Sequence, residues 1–492
     1  MRYVEYEMKR FLSILILFLL CASAYAGDVV DKKYREQFLT PYAAKNYYRT
    51  QINVSGFFSI QTSAVNNIIE SYRGTSIWTF DPFSNKWLDG RGGVLDGQAF
   101  TYDNAVAALA YLVCDQPYNA EKILDAYRQE FYVIKNDNYG LFNSYRTDKE
   151  ATQYGMSIGI DGDRMHVGPN AWMGIAALQY TAVTGKLDFL KFAIDMSKWI
   201  DGLPHFIFAN GKRGSVSMGS GWGPDWTKTF STENVVDDYA LKKMLKEIYM
   251  TKDPKVRKIF EQCKYTLKDI NREMSDTEKW LMLVVYDKNK KAFNVGYNEN
   301  GIDTTDALDA VSWVISAISP EKLASMGVDP YQLMKFADNN FYFEDNVEGI
   351  KIKGYDFTNI KSREKNYRMI WLEGTGFHVV AMQRMAQYSH LIGYPKRAEY
   401  FQYKAEYFLN EMQKVSQLCT MVDGALPYTS KKLKDNQTLT TFKWEWEIPR
   451  GRNGQWVASA SSTAWYIMAM SAFNPLEFDR EHVLYKLFVK QA

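Results

Sequence analysis

Strongly apolar helical segments alternate along the chain with segments that are apolar on one side only. Residues 102–113 are apolar almost all round, which is typical of a buried helix, whereas residues 120–131 carry one apolar stripe opposite charged side chains. The pair recurs as residues 168–185 and 187–200, and Gly185 supplies a stop signal for the first of them. The pattern predicts helical hairpins in which a shielded inner helix is followed by a solvent-facing outer helix.

The third hairpin begins with residues 231–249, where the apolar spacing is helical and the first turn is acidic. Ser231 or Thr232 is suited to cap this helix. Glu233 and Asp237 are four residues apart and therefore share a face, which points inward because it continues through apolar residues. Two carboxyl groups in a partly buried position are unfavourable unless a function requires them.

Further hairpins continue the series. Residues 255–270 follow the third inner helix, and the later segments are 304–318 with 330–340, 375–392 with 396–415, and a last inner helix over 457–472. Five polar residues at or just before helix starts are separated by 63 to 73 positions: Asp103, Asn170, Glu233, Asp306 and Glu373. Six hairpins closed in a ring predict an all-α fold, an (α/α)6 toroid, with short β-hairpins in its loops. An irregular all-α protein or an open helical solenoid is the alternative, although solenoid repeats are shorter and more uniform.

The first residues have the pattern of a secretory signal peptide. Lys9 and Arg10 precede an apolar run over residues 11–21, and Ala24-Tyr25-Ala26 provides a cleavage site. We therefore expect residues 1–26 to direct export to the periplasm or the medium. Residues 27–97 are expected to form N-terminal helices and a loop that pack on the toroid, and residues 98–492 the toroid itself.

Charge and cysteine content narrow the function classes. The chain has a formal net charge of +2, and the signal segment carries three basic and two acidic residues, which leaves the remainder near +1. Such a balance does not indicate a nucleic-acid partner. Cys114, Cys263 and Cys419 lie in or beside helical patterns and are expected to be buried and unpaired. We found no motif for a metal or a cofactor, and none is expected.

The inner-helix starts resemble those of the six-hairpin glycosidase superfamily over roughly residues 98–475. The resemblance rests on TYDNAVAALAYL, GPNAWMGIAALQYTAVTGK, STENVVDDYAL, DTTDALDAVSWV, WLEGTGFHVVAM and SASSTAWYIMA. It implies a glycan-binding cleft at the N-terminal ends of the inner helices. It also implies a glycoside hydrolase, in many members of the inverting type.

Helix physics favours the same place for a site. In a ring of antiparallel hairpins all inner helices point one way, so their N-terminal N–H groups converge on one mouth, where carboxylates are stabilised. Glycoside hydrolysis needs two carboxyl groups. Glu233 and Glu373 are the first candidates, because helices three and five are not neighbours and the two residues flank a space with room for a water. Asp103 is the third candidate, as a base or a sugar ligand. The alternative for each is a helix-capping or dipole-complementing role.

Several further residues are expected to bind substrate. Polar or titratable candidates near the mouth are Asp237, Asp306, His166 and Tyr102; aromatic candidates for stacking on sugars are Trp371, Trp222, Trp226 and Trp444. A histidine on an apolar helix is more often a structural residue, and tryptophans in loops often only fill the ends of a toroid.

The sequence therefore predicts an exported glycoside hydrolase that cleaves an oligo- or polysaccharide, with Glu233 and Glu373 as the acid/base pair. Two alternatives remain open. A polysaccharide lyase or sugar epimerase on the same toroid would use His or Tyr as a base, with Tyr102 and Tyr239 near the mouth. A non-catalytic glycan-binding protein of the cell envelope would bind without turnover.

Overall fold

A computed structural model describes residues 67–73, 79–81, 86–88, 97–134, 139–147, 149, 151–153, 155–159, 164–221, 226–362, 368–416, 418–419, 425–431 and 456–478. The α-helices, in chain order, are α1 (Thr101–Val113), α2 (Pro117–Ile134), α3 (Val167–Thr184), α4 (Leu190–Asp201), α5 (Thr232–Tyr249), α6 (Pro254–Gln262), α7 (Leu267–Trp280), α8 (Asp309–Ile318), α9 (Pro320–Ser325), α10 (Pro330–Asn340), α11 (Leu372–Leu391), α12 (Pro395–Val415) and α13 (Ala460–Met470). The predicted signal segment, residues 1–26, lies outside the described residues.

Six of these helices form a closed inner ring. In order around the ring, α1, α3, α5, α8, α11 and α13 each pack against the next, and α13 packs against α1. The outer helices α2, α4, α7, α10 and α12 pack behind them. The predicted all-α (α/α)6 toroid is therefore confirmed. All of its described helices are too short or too polar to cross a membrane.

Small residues allow the inner helices to approach one another closely. A methyl group added at Gly174 of α3 would lie 2.9 Å from the side chain of Leu241 on α5. One added at Gly376 of α11 would lie 3.0 Å from Cβ of Trp465 on α13. Because interiors are packed at crystal-like density, larger residues at these two positions would push neighbouring inner helices apart.

Short antiparallel strand pairs fix where the inner helices begin. The strands are β1 (Tyr72–Arg73), β2 (Thr79–Asp81), β3 (Lys86–Leu88), β4 (Gln98–Phe100), β5 (Ser144–Arg146), β6 (Arg164–His166), β7 (His205–Ile207), β8 (Arg213–Val216), β9 (Gly219–Gly221), β10 (Phe230–Ser231), β11 (Tyr286–Asp287), β12 (Ala292–Phe293), β13 (Gly296–Asn298), β14 (Gly301–Asp303), β15 (Tyr342–Val347), β16 (Ile350–Tyr355) and β17 (Ala458–Ser459). The pairs are β1–β17, β2–β3, β4–β5, β6–β9, β7–β8, β10–β13–β14, β11–β12 and β15–β16. Strands β4, β6, β10 and β17 lead directly into α1, α3, α5 and α13, so each pair holds one helix start at the mouth of the ring.

Two predicted helices have different bounds in the structure. Residues 255–270 are not one helix, because Lys264 adopts a left-handed conformation (φ 50°) and Thr266 starts α7 with a capping box to Asp269. Helix α8 begins at Asp309 rather than at residue 304, because residues 301–303 form β14 and Ala307 bridges to Thr358. The N-terminal helices predicted within residues 27–97 lie mostly outside the described residues, and Tyr72–Arg73 form the extended β1.

The segment after α13 covers the other end of the ring. Gln179 Nε2 near the end of α3 donates to the carbonyl groups of Pro475 (2.9 Å) and Glu477 (3.0 Å). Asn474 Nδ2 donates to the carbonyl group of Ser316 in the last turn of α8 at 2.9 Å. The chain thus crosses the C-terminal ends of these inner helices.

A buried lysine ties α5 to α4. Lys242 of α5 is only 1% exposed and pairs with Asp201 at the end of α4 (Nζ to Oδ1, 2.8 Å) and with Asp238 one turn earlier on α5. Tyr265 Oη donates to Asp201 Oδ2 at 2.9 Å. Removing one member of such a group leaves buried charges without compensation.

We expect Lys242→Met to lower the free energy of unfolding by about 3–5 kcal/mol, because Asp201 and Asp238 would remain buried without a cation. Lys186→Met is the control, since its ion pair with Glu121 (3.1 Å) is exposed to solvent and should contribute little to stability. Chemical denaturation would measure both. Equal losses of unfolding free energy in the two variants would show that the buried ion pairs of Lys242 stabilise the fold no more than an exposed ion pair does.

Candidate active site

In the first turns of three inner helices, an acid or a proline is followed by an asparagine whose side chain hydrogen-bonds to the backbone of another segment. Asn104 of α1 holds the backbone of Ile69 with two hydrogen bonds, one at 2.7 Å and one at 3.0 Å. Asn170 of α3 likewise bonds both backbone groups of Leu141. Asn234 of α5 accepts from the Gly168 N–H at 2.7 Å. These asparagines tie the loops to the helices, so the preceding residues, Asp103 on α1 and Glu233 on α5, are not needed for that purpose.

Five carboxyl groups from four inner helices come together at this end of the ring. We call them the carboxyl cluster: Asp103 of α1, Glu233 and Asp237 of α5, Asp309 of α8 and Glu373 of α11. Their charges act on one another across the ring: Glu373 acts on Asp103 and on Glu233, although their helices are not adjacent. The side chains therefore converge toward the axis. Both predicted catalytic glutamates and the third candidate belong to this cluster.

Glu373 is buried but supported by hydroxyl groups. Ser461 Oγ, on the neighbouring α13, donates to Glu373 Oε2 at 2.9 Å. Trp465 Nε1 donates to Tyr102 Oη at 2.6 Å, which leaves the Tyr102 proton available for Glu373. Burial raises the pKa of Glu373 to about 7, whereas hydrogen bonds from Tyr102 and Ser461 act in the opposite direction. Glu373 can therefore change its protonation state near neutral pH.

Glu233 has a contrasting environment. Its side chain is half-buried, and no donor of the described residues hydrogen-bonds to it. Burial, followed by the charges of Asp309 and Glu373, raises the pKa of Glu233 well above its usual range. Ser231 caps the helix by accepting from the Asn234 N–H, as the sequence predicts. Glu233 therefore stays protonated at a pH at which Glu373 has already lost its proton.

The remaining acids of the cluster are more deeply buried. Neither oxygen of Asp237, which is 0% exposed, forms a hydrogen bond of normal geometry in the described part of the chain, nor does Oδ2 of Asp103; Trp172 is nevertheless near enough to Asp237 to oppose the rise of its pKa. Burial and the charge of Glu233 raise the pKa of Asp237 well above its usual value. Burial and the charge of Glu373 do the same to the pKa of Asp103. Asp237 lies below Glu233 and is sealed from solvent, so the structure does not place it at a surface that a substrate reaches.

Asp309 is the member that the sequence analysis did not select as a site residue. Because the helix was expected to start at residue 304, Asp306, and not Asp309, was selected as the first-turn acid. The apolar run that begins immediately after Asp309 was the available signal. Burial raises the pKa of Asp309 to about 7.

Asp306 and Trp371 are held by other contacts. Asp306 forms an ion pair with Lys290 (3.0 Å) and accepts from Asn359 Nδ2 (2.9 Å), ahead of α8. The ring of Trp371 is buried against Phe357, Phe377 and Tyr428, with centroids 4.9, 5.2 and 6.4 Å apart. An added methyl at Gly374 would lie 2.3 Å from this ring. Both residues thus have a structural explanation, and sugar binding by them stays a prediction.

His166 and Trp226 meet at the start of α3. Their ring centroids are 4.7 Å apart, and His166 Nδ1 lies 3.1 Å from Asn143 Nδ2. Burial lowers the pKa of His166 to about 3, so its ring is uncharged at neutral pH. His166 Nε2 and Trp226 Nε1 are buried without partners among the described residues. Trp222 and Trp444, also predicted to bind substrate, lie outside those residues.

An aromatic layer adjoins the carboxyl cluster: Trp313 and Phe377 come one turn after Asp309 and Glu373, and Tyr102 directly precedes Asp103. Its rings come from five inner helices and pack edge to face or tilted: Tyr102, Trp172, Trp313, Phe377 and Trp465. The centroid distances within it run from 5.3 Å to 6.2 Å. The layer fills the axis and excludes water beneath the acids, which explains their raised pKa values. Among the described residues, no three His, Cys, Asp or Glu side chains are arranged to hold a metal ion.

We expect Asp237→Asn to be more stable than the wild type at pH 7. The folded-state pKa of Asp237 is raised, so the acid lowers stability as pH rises above its unfolded value of about 4, and at pH 7 the buried carboxyl group is unfavourable in a way that the uncharged amide is not. The difference between the two proteins should shrink at pH 4. Thermal unfolding at pH 7 and at pH 4 tests this. Asp306→Asn is the control, because it loses an ion pair and should not become more stable than the wild type. If the stability that Asp237→Asn gains over the wild type is no larger at pH 7 than at pH 4, the buried-acid account is contradicted.

Comparison with known proteins shows the fold. No protein-family model matches the sequence, and no curated protein matches it. Solved structures do: an unsaturated glucuronyl hydrolase from a Bacillus species (10% identity, TM-score 0.52, 86% of this chain and 96% of that one), a wild-type glycosidase (8%, 0.50, 89% and 98%) and a sugar epimerase from a ruminal bacterium (9%, 0.50, 86% and 98%). The chain therefore has the six-hairpin glycosidase-type fold.

Proposed function

We propose that this protein is a glycoside hydrolase that cleaves an oligo- or polysaccharide with Glu233 as general acid and Glu373 as general base. The observation that carries the proposal is the pairing of opposite environments in one carboxyl cluster. Glu233 lacks donors and sits beside other acids, whereas Glu373 is supported by Tyr102 and Ser461. Two carboxyl groups whose environments separate their proton affinities are what acid/base hydrolysis requires.

The proposed reaction uses each group once. Glu233 gives its proton to the glycosidic oxygen as the bond from that oxygen to the anomeric carbon breaks. Glu373, as a carboxylate, takes a proton from a water that forms the new bond to the anomeric carbon. Helices α5 and α11 are separated in the ring by α8, which favours a spacing with room for this water and hence an inverting mechanism.

The titratable residues favour a hydrolase over a lyase or an epimerase. Those reactions need a base that removes a proton from carbon, and His and Tyr are the residues considered. Burial lowers the pKa of His166 to about 3 and that of His378 well below its usual value, which makes both weak bases. Burial raises the pKa of Tyr102 and Tyr239 well above 10, so neither forms a phenolate near neutral pH.

Several solved structures with this fold support the carbohydrate part of the proposal, since they are named glycosidase, glucuronyl hydrolase and sugar epimerase. Export to the periplasm or the medium is also part of the proposal and rests on the sequence of residues 1–26 alone. His166 and Trp226 are proposed to contact the sugar through their two unpartnered N–H groups.

We expect Glu233→Gln and Glu373→Gln each to lower kcat on a natural glycan at least about 10³-fold, because each removes one proton transfer. A screen for released reducing ends identifies the substrate. A substrate with a nitrophenolate leaving group needs no acid, so it should restore turnover to Glu233→Gln and not to Glu373→Gln. Activity of both variants near the wild-type level would refute the assignment, and products with an unsaturated end would indicate a lyase.

We expect Ser461→Ala to shift the acidic limb of the kcat/KM–pH profile upward by about 0.5–1 unit. The Ser461 hydroxyl stabilises the carboxylate of Glu373, so its loss, of the order of 1 kcal/mol, raises the pKa at which the base form appears. Ser462→Ala is the matched control, because the Ser462 hydroxyl is buried on the same helix turn without a described partner. An unchanged limb in Ser461→Ala, or an equal shift in the control, would remove Glu373 from the role of base.

A further inference from the structure

Asp309 occupies a central place in the carboxyl cluster. It is the first residue of α8, the helix that lies between α5 and α11 in the inner ring, and it is only 3% exposed. Its Oδ1 accepts from the Ala310 N–H at 2.6 Å, at the positive end of the helix. Burial raises the pKa of Asp309 to about 7 and the Ala310 N–H acts in the opposite direction, so Asp309 carries its negative charge above neutral pH.

Glu233 is the neighbour that lacks such support. It is the second residue of α5, which packs directly on α8, and the first turns of both helices lie at the same end of the ring. Within the described part of the chain, no Lys or Arg forms an ion pair with Glu233 or Asp309, and no donor bonds to Glu233. The charge of Asp309 acts on Glu233, and two interacting acids without a cation hold one proton between them over a wide pH range.

The surroundings decide which acid keeps that proton. The other titratable groups that face Asp309 are Asp237 from α5 and Glu373 from α11, both acidic. His378 of α11 bonds Ser312 one turn deeper in α8 and is uncharged, because burial lowers its pKa. Among the described residues of α9, α10 and β12, which also pack on α8, no titratable group contacts Asp309. Both acids lie in the first turn of a helix, but only Asp309 accepts a hydrogen bond from a described N–H group, that of Ala310, and this bond favours charge on Asp309.

We propose that Asp309 is a positioning residue that keeps the proton on Glu233 until the glycosidic oxygen takes it. The negative charge of Asp309 opposes ionisation of Glu233, and Asp309 itself needs no contact with the substrate. After proton transfer, the two carboxylates repel each other, which drives reprotonation of Glu233 before the next turnover. The proposal rests on the proposed function, in which Glu233 is the general acid.

The test is the pH profile of Asp309→Asn, measured as kcat/KM on the glycan identified by the reducing-end screen. Loss of the charge lets Glu233 ionise at lower pH and also removes a charge that acts on Glu373. Both limbs should therefore move to lower pH, the alkaline limb by about one unit or more. Asp309→Glu, which restores the charge, should return the limbs toward their wild-type positions. Ser312→Ala, on the same helix, is the control and should move neither limb.

A second readout needs no substrate. Infrared difference spectra should show a component of the protonated carboxyl band in the wild type above pH 7 that is absent from Glu233→Gln. In Asp309→Asn this component should be lost at a lower pH than in the wild type. Unmoved limbs and an unmoved band in Asp309→Asn would overturn the role of Asp309. Full activity of Glu233→Gln and Glu373→Gln on the natural glycan would instead overturn the proposed function, so the two failures are distinguishable.

Discussion

The closure of the inner ring is the constraint on which the candidate site depends. All six inner helices point in one direction because inner and outer helices alternate along the chain. Since α13 also packs back onto α1, the first turns of the inner helices meet at one mouth. Their N-terminal N–H groups favour negative charge there, which stabilises carboxylates that are buried at the mouth. The opposite end is covered by the segment after α13. An open array of the same hairpins would spread these acids along a surface, where solvent would screen their charges from one another.

The carboxyl cluster sits between two opposing effects. The aromatic layer below it excludes water and makes charge unfavourable, whereas the helix starts and the hydroxyl groups of Tyr102 and Ser461 make charge favourable at particular atoms. Glu373 receives that support and Glu233 does not. A purely structural cluster would not be expected to keep Asp237 sealed and unpartnered at a cost in stability. The balance between burial and support, residue by residue, is what separates an acid from a base in this site.

Much of the architecture could be predicted from local signals. Helix α10 matches its predicted bounds, and α5 matches its predicted segment with Ser231 as the N-cap, because proline, capping and apolar-run signals lie within a few residues of each helix start. The split between α6 and α7 was missed, since the apolar stripe runs unbroken through the left-handed Lys264. Asp309 was missed because residues 304–308, which include the bridge of Ala307 to Thr358, are not helical and stand in place of the expected first turn of α8. The environment of Glu373 could not be predicted, because Ser461 approaches it from a distant part of the sequence only when the ring closes.

The central claim is that a glycan binds at the N-terminal mouth of the ring, between Glu233 and Glu373. A crystal structure of Glu233→Gln with the oligosaccharide found by screening tests it most directly, because the variant should bind substrate without consuming it. The account predicts a sugar ring in the carboxyl cluster, with its glycosidic oxygen about 3 Å from the residue-233 side chain and a water between the ring and Glu373. A sugar bound elsewhere on the protein, with the cluster unoccupied, would contradict it.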